Sequence, residues 1–233
     1  MSDNCLIVCS HSLAGVPGHV AEIVQDAFSI AVDGGLKHFR KLKLKPMLWV
    51  GDGDSISRGE VGKLKCKKIR LPKAKDYSDF EYALHLAGKA FLDGEWEGNV
   101  VLVGAQGGRF DHELGNLLVV QTWMQDLARA AGPDNCPGLV SYGPRGMWIA
   151  TMSQLEFQQP RGQLFSVMCL EQSPKITITG AKYQLKRGVL DHASRGLSNE
   201  GVGKTVQIRV EQLPRTDRVT PVFVIFPRER DAT

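Results

Sequence analysis

Four short stretches of this chain gather carboxylates, glycines and cations in the way phosphate chemistry requires. They are Asp33-Gly34-Gly35, Gly51-Asp52-Gly53-Asp54-Ser55, Lys73-Ala74-Lys75-Asp76-Tyr77-Ser78-Asp79 and Gly104 through Asp111. Asp52 and Asp54 stand two apart, so an extended backbone would project both carboxylates to one side. Held together they repel unless a cation sits between them, and their hard oxygens suit Mg²⁺. The pair alone is served equally by an Asx-turn, since aspartate favours turns for local hydrogen-bonding reasons. Asp76 and Asp79, arriving from the next stretch, tip the balance toward a metal. Ser78-Asp79-Phe80-Glu81 is also a capping box, which accounts for Ser78 and Glu81 without any function. It puts Asp79 at a helix N-terminus, where a carboxylate is favourable in any case.

The fourth stretch is built for an anion. Gly104, Gly107 and Gly108 permit unusual backbone angles and close approach to a ligand. Arg109 offers a fork of donors matched to phosphate oxygens. A helix expected from His112 would aim free N–H groups at the same place.

The elements that must position these stretches alternate. Leu6–Cys9, Ser29–Val32, Met47–Val50, Lys68–Leu71 and Val100–Val103 read as short apolar strands. Helical patterns follow most of them, over 18–27, 35–43, 57–65, 79–91 and 112–130. That alternation predicts an α/β unit with a mostly parallel sheet covered on both faces. Ligands bind beyond the carboxyl ends of such strands, which is where all four stretches fall. After Gly132-Pro133-Asp134-Asn135-Cys136-Pro137-Gly138 the period changes. Leu164–Met168, Lys175–Ile178, Thr205–Val210 and Val222–Phe226 predict an antiparallel β-sandwich or small barrel with no helix. The expected division is 1–135 for an α/β catalytic domain and 140–233 for a β domain.

With 233 residues, 42% hydrophobic and 23% charged, the chain can bury a sizeable core and is neither disordered nor repetitive. A net charge of +4 partly reflects basic runs at 37–43 and 63–68, which read as the solvated faces of two helices rather than a nucleic-acid surface. Five cysteines at irregular spacing make neither a disulfide framework nor a zinc site. With no signal layout and no long apolar run, the expected compartment is the cytoplasm. Ser198 through Thr205 ends like a phosphate-binding P-loop, but Ser198 stands where glycine is required and a strand follows instead of a helix.

Together the blocks "VDGGLKHF" at 32–39, "GDGDSIS" at 51–57, "KDYSDFEYAL" at 75–84, "GAQGGRFDHELGNL" at 104–117 and "RGLSNE" at 195–200 resemble the thiamine pyrophosphokinase family in its bacterial form. The resemblance implies a Rossmann-like catalytic domain followed by a β-sandwich, working as a homodimer. It implies Mg²⁺-dependent transfer of pyrophosphate from ATP to the hydroxyl of thiamine, with release of AMP. Asp52, Asp54, Asp76 and Asp79 match the acidic positions, with Asp52, Asp54 and Asp79 as metal ligands and Arg109 beside them. Asp33, Gly34, Gly35, Lys75, Gly107, Gly108, Arg109, Asp111 and His112 match the nucleotide site. Ser198 and Asn199 match the thiamine-contacting block, which the family supplies from the partner subunit. Gly53 departs from the large apolar residue usual there and is expected to loosen its loop, and Leu213–Thr220 reads as a longer hairpin loop than is common. Alternatives on the same residues are a pyrophosphokinase for another alcohol, such as a hydroxymethyl pterin, and a non-catalytic nucleotide or thiamine sensor.

Overall fold

The computed structural model describes residues 3–56, 58–192, 194–212 and 219–228, so most of the expected 213–220 loop lies outside the described residues. The chain divides into two compact units, Met1–Val120 with Leu139–Arg145, and Gln121–Gly138 with Gly146–Thr233.

In the first unit, β1 (Cys5–Val8), β2 (Phe28–Val32), β3 (Leu48–Gly51), β4 (Lys67–Arg70), β5 (Val100–Val103) and β6 (Leu139–Gly143) pair in parallel, in the order β6-β5-β1-β2-β3-β4. Every residue of β1, β2 and β5 is buried, which is why these strands are continuous apolar runs without alternation. The helices α1 (Val20–Ile23), α2 (Leu36–Lys41) and α3 (Arg58–Gly62) are shorter than their sequence patterns. Val20, Leu36, Phe39 and Val61 from these helices share one core with Leu6, Val8, Ala31, Trp49, Val101 and Val103. By alternation Cys5, Ile7 and Ile30 face the other side. There α4 (Asp79–Leu92) packs on β1, β2 and β3 through Phe80, Ala83, Leu84 and Ala87. The helix α5 (Phe110–Ala131) follows β5 and begins two residues before the expected start at His112.

One basic run is placed differently from expectation. Residues 37–43 do lie on α2 and its exit, but 63–68 enter β4, the sheet edge, where Lys67 and Lys68 are exposed. Lysines on an edge strand discourage pairing with another chain. The strand β6 was not anticipated, because Ser141 and Tyr142 dilute the apolar run that marks its neighbours.

The second unit is antiparallel throughout its sheets. One sheet has the order β12-β9-β14-β7, the other β11-β10-β13-β8. Their ranges are β7 (Gly146–Thr151), β8 (Gln154–Gln159), β9 (Leu164–Met168), β10 (Lys175–Thr179), β11 (Leu185–Gly188), β12 (Asn199–Glu200), β13 (Lys204–Glu211) and β14 (Val222–Pro227). Phe165 and Val167 of β9, Ile176 and Ile178 of β10, Val206, Ile208 and Val210 of β13, and Val222 and Val224 of β14 form one core. Gln207 and Arg209 alternate outward from β13, the period-two signature of a half-buried strand. The P-loop look-alike is the connection into β13, as its context implied. No helix among the described residues is long and apolar enough to cross a membrane.

The parallel sheet tolerates no side chain at Gly35. An ideal Cβ there would lie 2.0 Å from the Val8 carbonyl oxygen and 2.8 Å from its carbon. Gly35→Ala is expected to cost more than about 2 kcal/mol in denaturant unfolding, since both clashing atoms are buried backbone. Gly59→Ala, which meets nothing within 4 Å, is the control and should be neutral or stabilising.

Candidate active site

The carboxyl ends of β2, β3, β4 and β5 lead into the predicted residues along one edge of the first unit. After β2 the chain turns through a 3₁₀ segment, Asp33–Gly35. Asp33 is buried at a left-handed φ of 42°. Its carbonyl accepts a 3.2 Å hydrogen bond from Trp49 Nε1. Gly51 leaves room for it, because a Cβ at 51 would sit 3.0 Å from Asp33 Oδ1. Gly34 lies between two loops, with Ser10 Cβ and Ser55 Cβ at 3.1 and 3.2 Å from where its own Cβ would be.

The stretch after β3 is a turn and not the extended segment that the two-residue spacing suggested. The Asp54 N–H donates to Asp52 Oδ1 at 2.9 Å, an Asx-turn, and Gly53 carries the positive φ of 80° on which it pivots. At that angle glycine avoids the strain a side chain would bring, so Gly53 suits a held turn. The turn and the metal site are compatible. Asp33, Asp52 and Asp54 each offer a ligand atom, and these atoms lie within 4.8 Å of one another. Asp33 Oδ1 is buried and has no hydrogen-bond partner among the described residues. A buried carboxylate oxygen left bare is costly unless something cationic reaches it. Hard oxygens in a group of three fit Mg²⁺. Asp33 was assigned to the nucleotide by its block and not to the metal; no spacing rule links it to Asp52 and Asp54, which the sheet brings beside it.

Asp79 and Asp76 fall outside that group. Asp79 is ion-paired with Lys75 at 2.9 Å, with both side chains largely withdrawn from solvent, at 18% and 9% exposed. The hydrogen bond to Asp79 pushes the Lys75 ammonium above its ordinary pKa. Lys75 Nζ also donates to the Pro72 carbonyl, which ties the loop to the start of α4. Ser78 caps that helix as predicted, its Oγ accepting from Glu81 N at 3.0 Å. Asp76 is exposed.

The glycine loop after β5 is fastened to its own surroundings. The Gly107 N–H donates to Glu113 Oε1 at 2.6 Å, and Glu113 pairs with Arg145. Asn116 Nδ2 donates to the Ala105 carbonyl. Arg109 forms a two-point pair with Asp111, Nε to Oδ1 at 3.1 Å and Nη2 to Oδ2 at 2.5 Å, on the surface. The hydrogen bond from Arg109 holds Asp111 at about 2, well below its ordinary pKa. His112 is exposed beside it on the first turn of α5. Gly107 and Gly108 serve the protein's own contacts: a Cβ at 107 would meet the Pro144 ring at 2.7 Å, and one at 108 the His11 ring at 2.3 Å.

Sequence reasoning passed over the loop after β1. His38, buried on α2, directs Nε2 at the carbonyls of His11 (2.5 Å) and Ser10 (3.4 Å). Both partners are acceptors, so Nε2 carries the proton. Nδ1 is buried without a hydrogen-bond partner among the described residues. The only signal for this loop was its place at a strand's carboxyl end, since it has no carboxylate among Cys9-Ser10-His11-Ser12.

In the second unit Ser198 is exposed at a φ of 54° and Asn199 is buried. The Asn199 amide is committed to Tyr183, donating to its carbonyl at 2.8 Å and accepting from its N–H at 3.0 Å. Asn199 and Glu200 pair with Phe165 and Leu164 of β9. Leu164 lines an open cleft of about 690 Å³ with Met147, Gln159, Gln163, Phe226 and Arg228.

Residues 21–130 match the family model described as thiamin pyrophosphokinase, catalytic domain, and residues 153–213 match thiamin pyrophosphokinase, vitamin B1 binding domain. Thiamin pyrophosphokinase 1 of Caenorhabditis elegans is 29% identical over 127 residues, 50% of this chain and 51% of that protein, so the match spans about half of that relative. Among solved structures, a thiamin pyrophosphokinase family protein from Enterococcus faecalis superposes with a TM-score of 0.71 at 20% identity, over 98% of this chain and 100% of that one. Thiamin pyrophosphokinase from Geobacillus thermodenitrificans gives 0.72 at 20% identity, over 99% and 100%. The Candida albicans enzyme of that name gives 0.70 at 13% identity, over 98% and 90%. At these identities the superpositions establish a shared fold.

Burial lowers the pKa of His38 below its ordinary 6.5. Below that pH the unfolded chain binds a proton that the folded chain refuses, so stability falls as the solution is acidified through 6.5. His38→Gln keeps a donor and removes the titration. Melting temperature against pH should therefore be flatter in that variant than in the wild type; equal slopes would show that His38 is not the group responsible.

Proposed function

We propose that this chain, which belongs to the thiamin pyrophosphokinase family, transfers pyrophosphate from ATP to the hydroxyl of thiamine, giving thiamine diphosphate and AMP, with Mg²⁺ bound at the end of its parallel sheet. The observation that carries the proposal is the buried, unpartnered Asp33 Oδ1 within reach of Asp52 and Asp54. Asp33, Asp52 and Asp54 would hold the cation, with Asp76 and Asp79 supplying further negative charge from the next loop. A bound Mg²⁺ draws charge from the triphosphate and fixes its geometry, which is what pyrophosphoryl transfer needs in place of a covalent nucleophile.

The chain's own residues then bind and orient. Lys75, held by Asp79, and Arg109, held by Asp111, are cations whose carboxylate partners fix their positions before a nucleotide arrives. Gly34 and Gly35 admit the close approach of the β1 and β3 loops on either side of the nucleotide edge. Ser198, exposed on a left-handed turn, is the thiamine-facing member of its block, and Asn199 holds that turn in shape through Tyr183. We read residues 1–135 as the Rossmann-like catalytic half and 140–233 as the thiamine-binding β-sandwich. The working form is a homodimer in which the Ser198–Asn199 block serves the other subunit. All five cysteines are free thiols, which suits a reducing cytoplasm.

The test is AMP release from ATP and Mg²⁺ with and without thiamine, the second product identified by mass. Thiamine-dependent AMP with thiamine diphosphate is the expected result. Asp54→Asn should lower kcat by more than about a hundredfold at an unchanged melting temperature, because it removes a metal ligand from an exposed turn. Wild-type turnover in that variant would remove the metal assignment.

A further inference from the structure

The strand order β6-β5-β1-β2-β3-β4 reverses between β1 and β5, and in an open parallel sheet the crevice at that reversal is where a ligand settles. Two loops border it. One is the glycine loop that starts at Gly104; the other is Cys9-Ser10-His11-Ser12, to which no role has been given. They are sewn together by backbone hydrogen bonds, Cys9 N to the Val103 carbonyl at 2.8 Å and His11 N to the Gly104 carbonyl at 2.9 Å.

His11 is held from both sides of its peptide. Its N–H is bound to Gly104 and its carbonyl to the buried His38. The ring is then laid over Gly108. An ideal Cβ at 108 would be 2.3 Å from His11 Cε1 and 2.5 Å from both Nδ1 and Nε2. Such nearly equal distances put the flat of the imidazole, not its edge, against the glycine, and the residue is half-buried. Neither nitrogen has a hydrogen-bond partner among the described residues. The two cations that flank this edge are differently placed, since Lys75 and Arg109 each carry a carboxylate.

We infer that His11 is a nucleotide-binding residue, its imidazole donating a ring N–H to a phosphate oxygen of the triphosphate lying along the β1–β5 crevice, and that Gly108 is glycine because the ring needs its place. The inference rests on the ATP-dependent function proposed above. It is read through nucleotide affinity, which is separable from turnover.

The experiment is calorimetric titration of Mg·ATP into the wild type and into His11→Ala, His11→Gln and Gly108→Ala, with melting temperatures alongside. His11→Ala should weaken binding about tenfold or more, the range for a hydrogen bond to a charged group. His11→Gln, which keeps an N–H donor, should stay within about threefold of wild type by the same reckoning. Gly108→Ala, with the ring displaced, should resemble His11→Ala. Wild-type affinity in His11→Ala overturns the inference. If that variant does not fold, the imidazole ¹⁵N spectrum of the wild type decides: Mg·ATP must shift the His11 ring nitrogens, and unmoved resonances overturn it. A wild type that binds Mg·ATP without making thiamine diphosphate would sink the proposed reaction while leaving the His11 comparison intact. A wild type that does not bind it would sink both.

Discussion

The Asp33-Gly34-Gly35 turn closes over the ends of β1 and β3, tightly at Gly34 and with no space for a side chain at Gly35, and the geometry of this edge depends on that closure. Gly35 presses on the Val8 carbonyl and Gly34 on Ser10 and Ser55. Asp33 is thereby held in a left-handed conformation, which costs a non-glycine residue on the order of 1–3 kcal/mol. The buried bond from Trp49 Nε1 to its carbonyl opposes that strain, and a buried donor or acceptor left unmade there would cost about 1–3 kcal/mol. The turn is thus a strained element held by a close-packed frame. It holds Asp33 Oδ1 buried, with no hydrogen-bond partner among the described residues.

Charge at this edge is arranged in ion pairs. Lys75 with Asp79, Arg109 with Asp111 and Arg145 with Glu113 each neutralise a cation beside a loop that is expected to meet phosphate. The exposed pairs are worth little to folding, since solvent screens them and ordering long side chains costs entropy. What they do is hold long side chains in place. Asp33, Asp52 and Asp54 are the opposite case, three acceptors brought together with no hydrogen-bond partner for Asp33 Oδ1 among the described residues. The imbalance is local, and it sets the Asp33, Asp52 and Asp54 group apart from the ion pairs around it.

In the first unit β1, β2, β3 and β5 were legible because a strand buried on both faces must be continuously apolar, and few other elements are. In the second unit β9, β10, β13 and β14 were legible as short runs rich in β-branched and aromatic residues between turn residues, the first three half-buried and alternating. That reading missed β7 and β8; in β8 Gln154, Glu156 and Gln158 face solvent and the apolar half of the alternation is short. Helix ends were overestimated wherever tertiary packing needed only one turn, as in α1 and α3. Among site residues, the blocks around Asp52, Asp79 and Arg109 announced themselves because glycine, carboxylate and arginine together are uncommon in a plain turn. Asn199 shows the limit of motif reading: the block is placed as a unit, while its amide is spent on Tyr183.

By itself the sequence determined which residues could do chemistry and, through the rule that ligands meet parallel strands at their carboxyl ends, which loops had to carry them. Those are local facts, set by periodicity and by the bonding capacity of side chains. Tertiary structure decided who meets whom. That Asp33 faces Asp52 and Asp54 follows from β2 lying beside β3. That His11 lies on Gly108 follows from β5 returning to the side of β1, ninety-odd residues later in the chain. Strand order is chosen by how two sheet faces are covered, a property of the whole core, and no spacing along the chain records it.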